Sequence, residues 1–443
     1  MKEYVRAYSP RPPQTRLHFN WKFVVSLFVV WVSVIHFFER IQPGWLIGRC
    51  QWNRWEQAAP DHHRVAIIAD PQIIDDYSYP KLPRWFQRVF EFCADNYLRR
   101  NYRYIEGNLD PDTVIFLGDL FDGGREWNTT GGDDVWFNEF KRFSSIYDLS
   151  SNRRHYWSVP GNHDIGFQNV TKAKSDRFAQ FFGELNRVVE IGNHSIVMID
   201  TISLSHPNPE VNTEANEFLT NLEQHIVHPD NPRILLTHVP LYRWPDKQRC
   251  GPRRERNHRL FPLMRGVEYQ TVIEYEISKR IMQTVGPTLI LAGDDHDYCD
   301  IKQEFTHKGR DMVAREITVK AAGMTGGVKY PAIQLLSLHT GGDSNSYSTE
   351  MCYMPAAYSS VKTYGYLFMA SVAFLGLLYL FPSRLNHFTK RTNQLLNDSR
   401  LKQRWYYWVD EERNWSGFWL HLVLAFVIPV GIWIFYVRSL YHV

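Results

Sequence analysis

Side chains that could ligate a metal recur at five places in the chain, each where a short apolar run ends. They are Asp70-Pro71-Gln72, Gly118-Asp119-Leu120-Phe121-Asp122-Gly123-Gly124, Gly161-Asn162-His163-Asp164, Thr237-His238-Val239-Pro240 and Gly293-Asp294-Asp295-His296-Asp297. Carboxylates, amide oxygens and imidazoles are the donors that divalent cations take. Two cations held about 3.5–4 Å apart turn water into a nucleophile and disperse charge on the group it attacks. Asp119, at a Gly-Asp turn, suits a bridging position, because one carboxylate offers an oxygen to each of two ions. The chemistry on offer is metal-assisted hydrolysis.

The runs that carry these side chains are residues 65–69, 113–117, 155–159, 233–237 and 288–292. They are short, β-rich and largely apolar, so they read as buried strands. In layered α/β folds ligands collect beyond the carboxyl ends of the strands, where loops project side chains from a fixed sheet. Every candidate ligand sits at such an end. His194, His206, His225 and His228 lie outside these blocks and read as ordinary surface or core histidines. Asp295, Asp297 and Asp300 flank His296 and read either as hydrogen-bond acceptors that support the ligands or as a solvated acidic loop, the loop being the expectation.

Taken in order, the five blocks resemble D-x-H, G-D-x-x-D, G-N-H-[DE], H-x-P and G-H-x-H of the calcineurin-like metallophosphoesterases, over roughly residues 62–355. The resemblance implies an α/β fold, a four-layer α/β/β/α metallophosphoesterase sandwich, that cleaves phosphate esters with two divalent ions. It implies that Asp70, Gln72 and His296 join Asp119 around one metal, and that Asn162, His238 and Asp294 join it around the other. His163, next to Asn162, is the expected general acid for the leaving-group oxygen. A neighbouring carboxylate orients such an imidazole and raises its pKa, and both Asp164 and Asp122 are candidates for that role. Gln72 and Asp294 each stand where the general pattern has histidine. The exchange leaves an oxygen-rich donor set that favours Mn²⁺ or Mg²⁺ over Zn²⁺, and manganese is the expectation.

Longer matches narrow the resemblance: Ala69-Asp70-Pro71-Gln72, the run from Phe116 to Arg125, that from Gly161 to Phe167, Leu236-Thr237-His238-Val239-Pro240-Leu241, and Cys352-Tyr353-Met354-Pro355. They are similar to a branch that takes in the fungal cell-division-control phosphoesterases and the animal phosphoesterases that remodel glycosylphosphatidylinositol (GPI) anchors after attachment. The glutamine and aspartate substitutions belong to that branch. It implies manganese-dependent removal of ethanolamine phosphate from a mannose of the anchor, the first by expectation, in the endoplasmic reticulum or early Golgi. The substrates would be GPI lipid or GPI-anchored proteins. The alternatives are a phosphomonoesterase or nucleotide phosphodiesterase sharing the metals, and a non-enzymatic membrane protein of manganese homeostasis. A proton donor at His163 favours an enzyme.

Three stretches lack formal charge: 23–38, 363–383 and 414–437. The last two exceed the ~18–20 residues that cross a bilayer as a helix. Trp21 and the stem of Lys22 extend the first into the interface. The expected layout is a cytosolic tail at 1–20, an uncleaved signal anchor at 21–40, a lumenal catalytic domain at 62–355, a transmembrane helix at 363–383, a cytosolic basic loop at 384–413 and a last transmembrane helix at 414–437. Lys2, Arg6, Arg11, Arg16 and Lys22 lie before the first span, and Arg384, Lys390, Arg391, Arg400, Lys402, Arg404 and Arg413 between the second and third, which places both regions in the cytosol. All five cysteines fall in the lumenal portion, where disulfides form; an odd number leaves one over. Sequons begin at Asn128, Asn169 and Asn193 on the same side. A net charge of +3 without a recognition motif argues against nucleic acid. The arginine-rich segment 243–259 reads either as a surface for extra phosphates or anionic headgroups or as a solvated basic loop.

Overall fold

The computed structural model describes residues 19–59, 61–127, 133–147, 153–256, 260–339, 346–381 and 415–439. Two compact units emerge, one spanning Arg40–Ser359 and the other combining Met1–Glu39 with Ser360–Val443.

The larger unit carries thirteen described strands: β1 His62–Ile68, β2 Thr113–Phe116, β3 Arg154–Tyr156, β4 Arg187–Ile191, β5 His194–Met198, β6 Arg233–Leu236, β7 Arg265–Gly266, β8 Tyr269–Gln270, β9 Leu289–Ala292, β10 Cys299–His307, β11 Arg310–Thr318, β12 Ala332–His339 and β13 Tyr347–Tyr353. They build one sheet in the order β13-β12-β1-β2-β3, a second in the order β10-β11-β9-β6-β5-β4, and the hairpin β7-β8. Val65, Ile67 and Ile115 of the first sheet meet Ile196, Ile234 and Leu291 of the second in one apolar layer. The alternate residues Ala66, Ile68, Val114 and Phe116 face outward onto the helices Arg84–Tyr104 and Asp133–Tyr147, through Leu98, Trp136 and Phe143. Val197, Leu235 and Ile290 do the same against Phe218, Leu219 and Ile281 of the helices Pro209–Thr220 and Tyr275–Val285. Strands covered on both faces need apolar residues at every position, which is why these read as continuous runs. The result is the α/β/β/α sandwich expected.

Register brings the strand ends to a common level. β1 and β2 run parallel with Ile68 opposite Phe116, so Asp70 and Asp119 leave the sheet together. β6 and β9 run parallel with Leu236 opposite Leu291, and this delivers His238 and Asp294 side by side from the second sheet. One strand departs from expectation. Only His155 and Tyr156 of the run 155–159 fall in a strand, β3, which is partly exposed because it forms the sheet edge with a neighbour on one side alone.

Disulfides join Cys50 to Cys352 and Cys250 to Cys299, while Cys93, the fifth cysteine, lies on the helix Arg84–Tyr104.

Among the described residues, three helices are long and apolar enough to cross a membrane: the helical run Trp21–Gly48, Ser359–Leu380 and Trp415–Arg438. The first continues past residue 40 through a π-helical turn, Phe37–Ile41, and ends at Gly48. Phe23, Leu27, Trp31 and Ile35 recur every fourth residue and bury against Leu375, Leu378, Ala425 and Ile432 of the other two helices. Polar contacts lie inside as well: the Tyr364 hydroxyl donates to buried Glu39 at 3.0 Å, and the Asn20 backbone N–H donates to His421 Nε2 at 2.9 Å. Residues 1–18 of the expected tail, the end of the 363–383 span and the whole basic loop 384–413 lie outside the described residues, as do Asn128 and Arg259.

Candidate metal centre

Asp70, Gln72, Asp119, Asp294 and His296 all have left-handed backbones, with φ of 47°, 40°, 51°, 65° and 64°. Non-glycine residues reach that region at a cost of roughly 1–3 kcal/mol each, sustained only where the surroundings dictate it. Here they are dictated by strand ends that must turn their side chains back over the sheet edge. Asp70 is fully buried, Asp119 and His238 are 1 % exposed, and Gln72, Asn162 and Asp294 are also buried.

The side chains converge. Ligand atoms of Asp70, Asp119 and His296 all lie within 4.8 Å of one another. His238 Nε2 stands 3.3 Å from Asp119 Oδ1, 3.3 Å from Asn162 Oδ1 and 3.6 Å from Asp294 Oδ1. Gln72 Nε2 donates to Asp119 Oδ2 at 2.9 Å. Asp119 is thus the residue common to both sets of candidate ligands, as its bridging assignment requires. Close approach leaves room for nothing at Gly161, where a Cβ would lie 2.0 Å from Asp119 Oδ1.

Backbone carbonyls aim both imidazoles. His238 Nδ1 meets Leu117 O at 2.7 Å and His296 Nδ1 meets Gly326 O at 3.0 Å, so a proton on each Nδ1 turns each Nε2 lone pair inward. Burial pushes His296 down to about 4, which keeps the ring neutral and able to ligate. Burial raises Asp70 well above the ordinary carboxylate range, reinforced by the charges of Asp119 and Asp294. Asp294 is likewise raised, first by burial and then by Asp119 and Asp295. Asp119 goes the other way: burial opposes its charge but is outweighed by His238 and His163. Asp70 Oδ2 and Asp294 Oδ2 are buried and accept no hydrogen bond. Desolvated, crowded carboxylates with orphaned oxygens are what bound cations relieve, so the donor set fits a two-metal group.

His163 lies at the rim, its side chain 25 % exposed. Its backbone N–H donates to Asp119 Oδ1 at 2.8 Å, fixing it beside the bridge. Of the two carboxylates proposed to orient it, the structure brings only Asp122 to the ring: His163 Nδ1 is 2.6 Å from the Asp122 carbonyl and 3.2 Å from its carboxylate. Burial alone would lower the imidazole, but Asp119 and Asp122 outweigh it and lift it to about 9. Asp164 is turned away. It accepts the N–H of Gly161 at 2.8 Å and of Phe121 at 3.0 Å, tying the second and third blocks together, and burial pushes it up to about 7.

Several supports lie outside the five blocks. Glu268, at the β7-β8 turn with φ 56°, takes the Asn162 Nδ2 hydrogen on its backbone carbonyl at 2.9 Å. Its carboxylate accepts the N–H groups of Phe167 and Asn169. Nothing in the local sequence marks it beyond a Gly-containing turn. The arginine-rich segment divides: Lys247, Arg249, Arg253 and Arg256 are exposed, whereas two of its arginines are withdrawn from solvent and from phosphate. Arg243 is fully buried against Glu316 at 2.5 Å, and Arg254 is buried on Asp295. Asp295 and Asp297 are correspondingly buried, contrary to the acidic-loop reading.

Known proteins bear on the centre so described. Residues 63–298 match the family model of the calcineurin-like phosphoesterases. The chain is 41 % identical over 387 residues to cell division control protein 1 of Saccharomyces cerevisiae, covering 84 % of this chain and 77 % of that one. It is 25 % identical over 381 residues to metallophosphoesterase 1 of Cricetulus griseus, covering 81 % and 89 %. With metallophosphoesterase 1 of Danio rerio the identity is 28 % over 308 residues, covering 64 % and 76 %. The family model ends at the second residue past His296, so the matched region holds all seven candidate ligands and His163. By this match and by its fungal relative, the chain belongs to the calcineurin-like phosphoesterases and is a metal-dependent phosphoric ester hydrolase.

Proposed function

We propose that the protein is a manganese-dependent phosphodiesterase that removes ethanolamine phosphate from the first mannose of the GPI anchor. The observation that carries the reading is the coexistence, in one chain, of a converging set of metal-ligating side chains and three helices able to cross a bilayer. An enzyme tethered in the membrane that holds its lipid-linked substrate works at high effective concentration, which replaces intrinsic affinity. Likeness to the fungal and animal relatives and the oxygen-rich ligands support the same reading.

In this scheme Asp119 would be shared by both ions, Asp70, Gln72 and His296 would help hold one, and Asn162, His238 and Asp294 would help hold the other. The ions, when bound, supply an activated water and neutralise charge on the phosphoryl oxygens. The chain supplies the proton. His163, held charged by Asp119 and Asp122, delivers it from Nε2 to the departing alkoxide oxygen. Asp164 keeps the turn that carries Asn162 and His163 in register with the Asp119 loop. The catalytic domain faces the lumen of the endoplasmic reticulum or early Golgi, in accord with the basic residues flanking the helices and with the two disulfides.

Mass spectrometry of anchor glycans from cells lacking the protein tests the assignment. Ethanolamine phosphate retained on the first mannose is expected; an unchanged glycan profile would refute it.

A further inference from the structure

The loop Gly293–Asp297 places two candidate ligands, Asp294 and His296, in left-handed conformations on either side of Asp295. Alternation of that kind leaves little internal support, and the one hydrogen bond within the loop joins Asp295 N to Gly293 O at 2.8 Å. His238, Asp70 and Ala321 each contribute one bond to it, and the larger share of side-chain support comes from residues 250–256. The segment is anchored by the Cys250–Cys299 disulfide just beyond the loop. Arg254 grips Asp295 with two bonds, Nη1 to Oδ2 at 2.5 Å and Nη2 to Oδ1 at 3.2 Å, with side chains only 2 % and 5 % exposed. The backbone N–H groups of Glu255 and Arg256 both donate to Asp297 Oδ2, at 2.9 and 2.6 Å. The other Asp297 oxygen faces Lys320 Nζ at 3.3 Å, and Lys320 in turn donates to Glu255 Oε1 at 2.5 Å. Finally Arg256 Nη2 donates at 2.9 Å to Gly326 O, the same carbonyl that aims His296, and its Nη1 reaches Asp295 O at 3.3 Å.

We propose that Arg254 and Arg256 are positioning residues of the metal centre, clamping the Asp294-Asp295-His296 turn so that both ligands are pre-set for the ions. Neither touches the reacting atoms. Arg254 fixes the residue between the two ligands, and Arg256 fixes the carbonyl that sets the His296 ring. This assignment rests on the reading of Asp294 and His296 as ligands. Groups that orient ligands typically change metal affinity or activity by about 10–100-fold when removed.

Full-length protein in detergent, stripped of metal, is titrated with Mn²⁺ alone, free ion being followed by electron paramagnetic resonance. Arg254→Gln should weaken Mn²⁺ binding by about 10–100-fold. Arg254→Lys should recover part of that loss, and Arg256→Ala, at an exposed position, should weaken binding by a smaller factor. Arg315→Gln on β11 breaks a more exposed ion pair, with Asp300 of β10 at 2.7 Å, and should bind as wild type. Excess Mn²⁺ should restore kcat in Arg254→Gln with KM for the diester unchanged. Wild-type affinity in both Arg254→Gln and Arg256→Ala would overturn the proposal, as would activity that excess metal cannot restore. Should Arg254→Gln fail to fold, Arg256→Ala decides alone. Absence of Mn²⁺ uptake by the wild type would instead overturn the metal-centre reading beneath it.

Discussion

His163→Ala should separate proton delivery from metal binding. The ring contributes no ligand atom in the proposed shells, and the main-chain N–H that contacts Asp119 survives the substitution, so both ions should stay bound. What is lost is the proton at Nε2. Nδ1 is occupied by the Asp122 carbonyl at 2.6 Å and carboxylate at 3.2 Å, leaving Nε2 to face the leaving group. A positioned general acid is worth roughly 10²–10⁴-fold, or about 3–5 kcal/mol of barrier. The loss should track the leaving group: an alkoxide of a sugar or of ethanolamine needs protonation, whereas a phenolate from an activated aryl diester departs almost unaided. Asp122→Asn offers a graded companion. It removes the carboxylate charge but not the backbone carbonyl, so the ring stays aimed and only the excess of a charged over a neutral hydrogen bond is forfeited, about 1 kcal/mol or roughly fivefold. Because that carboxylate raises the imidazole, its loss lets the proton go at lower pH, and the alkaline limb of the kcat/KM profile should move downward. Steady-state kinetics on both substrates, with metal content measured in parallel, provide the assay. Equal loss on aryl and natural diesters would refute the acid role.

Asp119→Ala should bind neither metal stably and be inactive with the fold retained, since the scheme shares it between both ions; elemental analysis showing full loading would sink the bridging assignment. Replacing Gln72 and Asp294 together by histidine should shift preference from Mn²⁺ toward Zn²⁺, and unchanged selectivity in competition assays would remove both side chains from the ligand set. Asn169 and Asn193 are exposed and should accept glycan under lumenal topology, whereas Asn397, in the basic loop outside the described residues, should not. Glycosidase-sensitive mobility of sequon variants reports this, and glycan on Asn397 would invert the orientation.

Much of the centre was legible because buried parallel strands leave an unambiguous mark: apolar runs whose chemistry gathers just after the last apolar residue. Asp70, Asp119, His238 and Asp294 follow that rule, and the sheets bring them together as expected. Distance-dependent features were not legible. The choice between Asp122 and Asp164 turns on which carboxylate the chain folds back onto its own N–H groups, and adjacency in sequence is silent on that. Arg243 and Arg254 looked solvent-directed because their partners, Glu316 and Asp295, lie 73 and 41 residues away. Glu268 was missed for the same reason, since its contact with Asn162 spans 106 residues. The run 155–159 misled differently: apolar content implied cover on both faces, and position at the sheet edge removed one neighbour.

The Cys50–Cys352 bridge closes a covalent ring, its ends 302 residues apart, that encloses every candidate metal ligand. A protease that cuts once inside that ring opens it without dividing the molecule, and the apolar helices preceding and following the ring remain one covalent species. Shedding of the catalytic region would require two cuts outside the bridge, one on each side of it. A clipped enzyme should therefore run intact on a non-reducing gel and fall into two pieces, each retaining an apolar helix, once thiol is added.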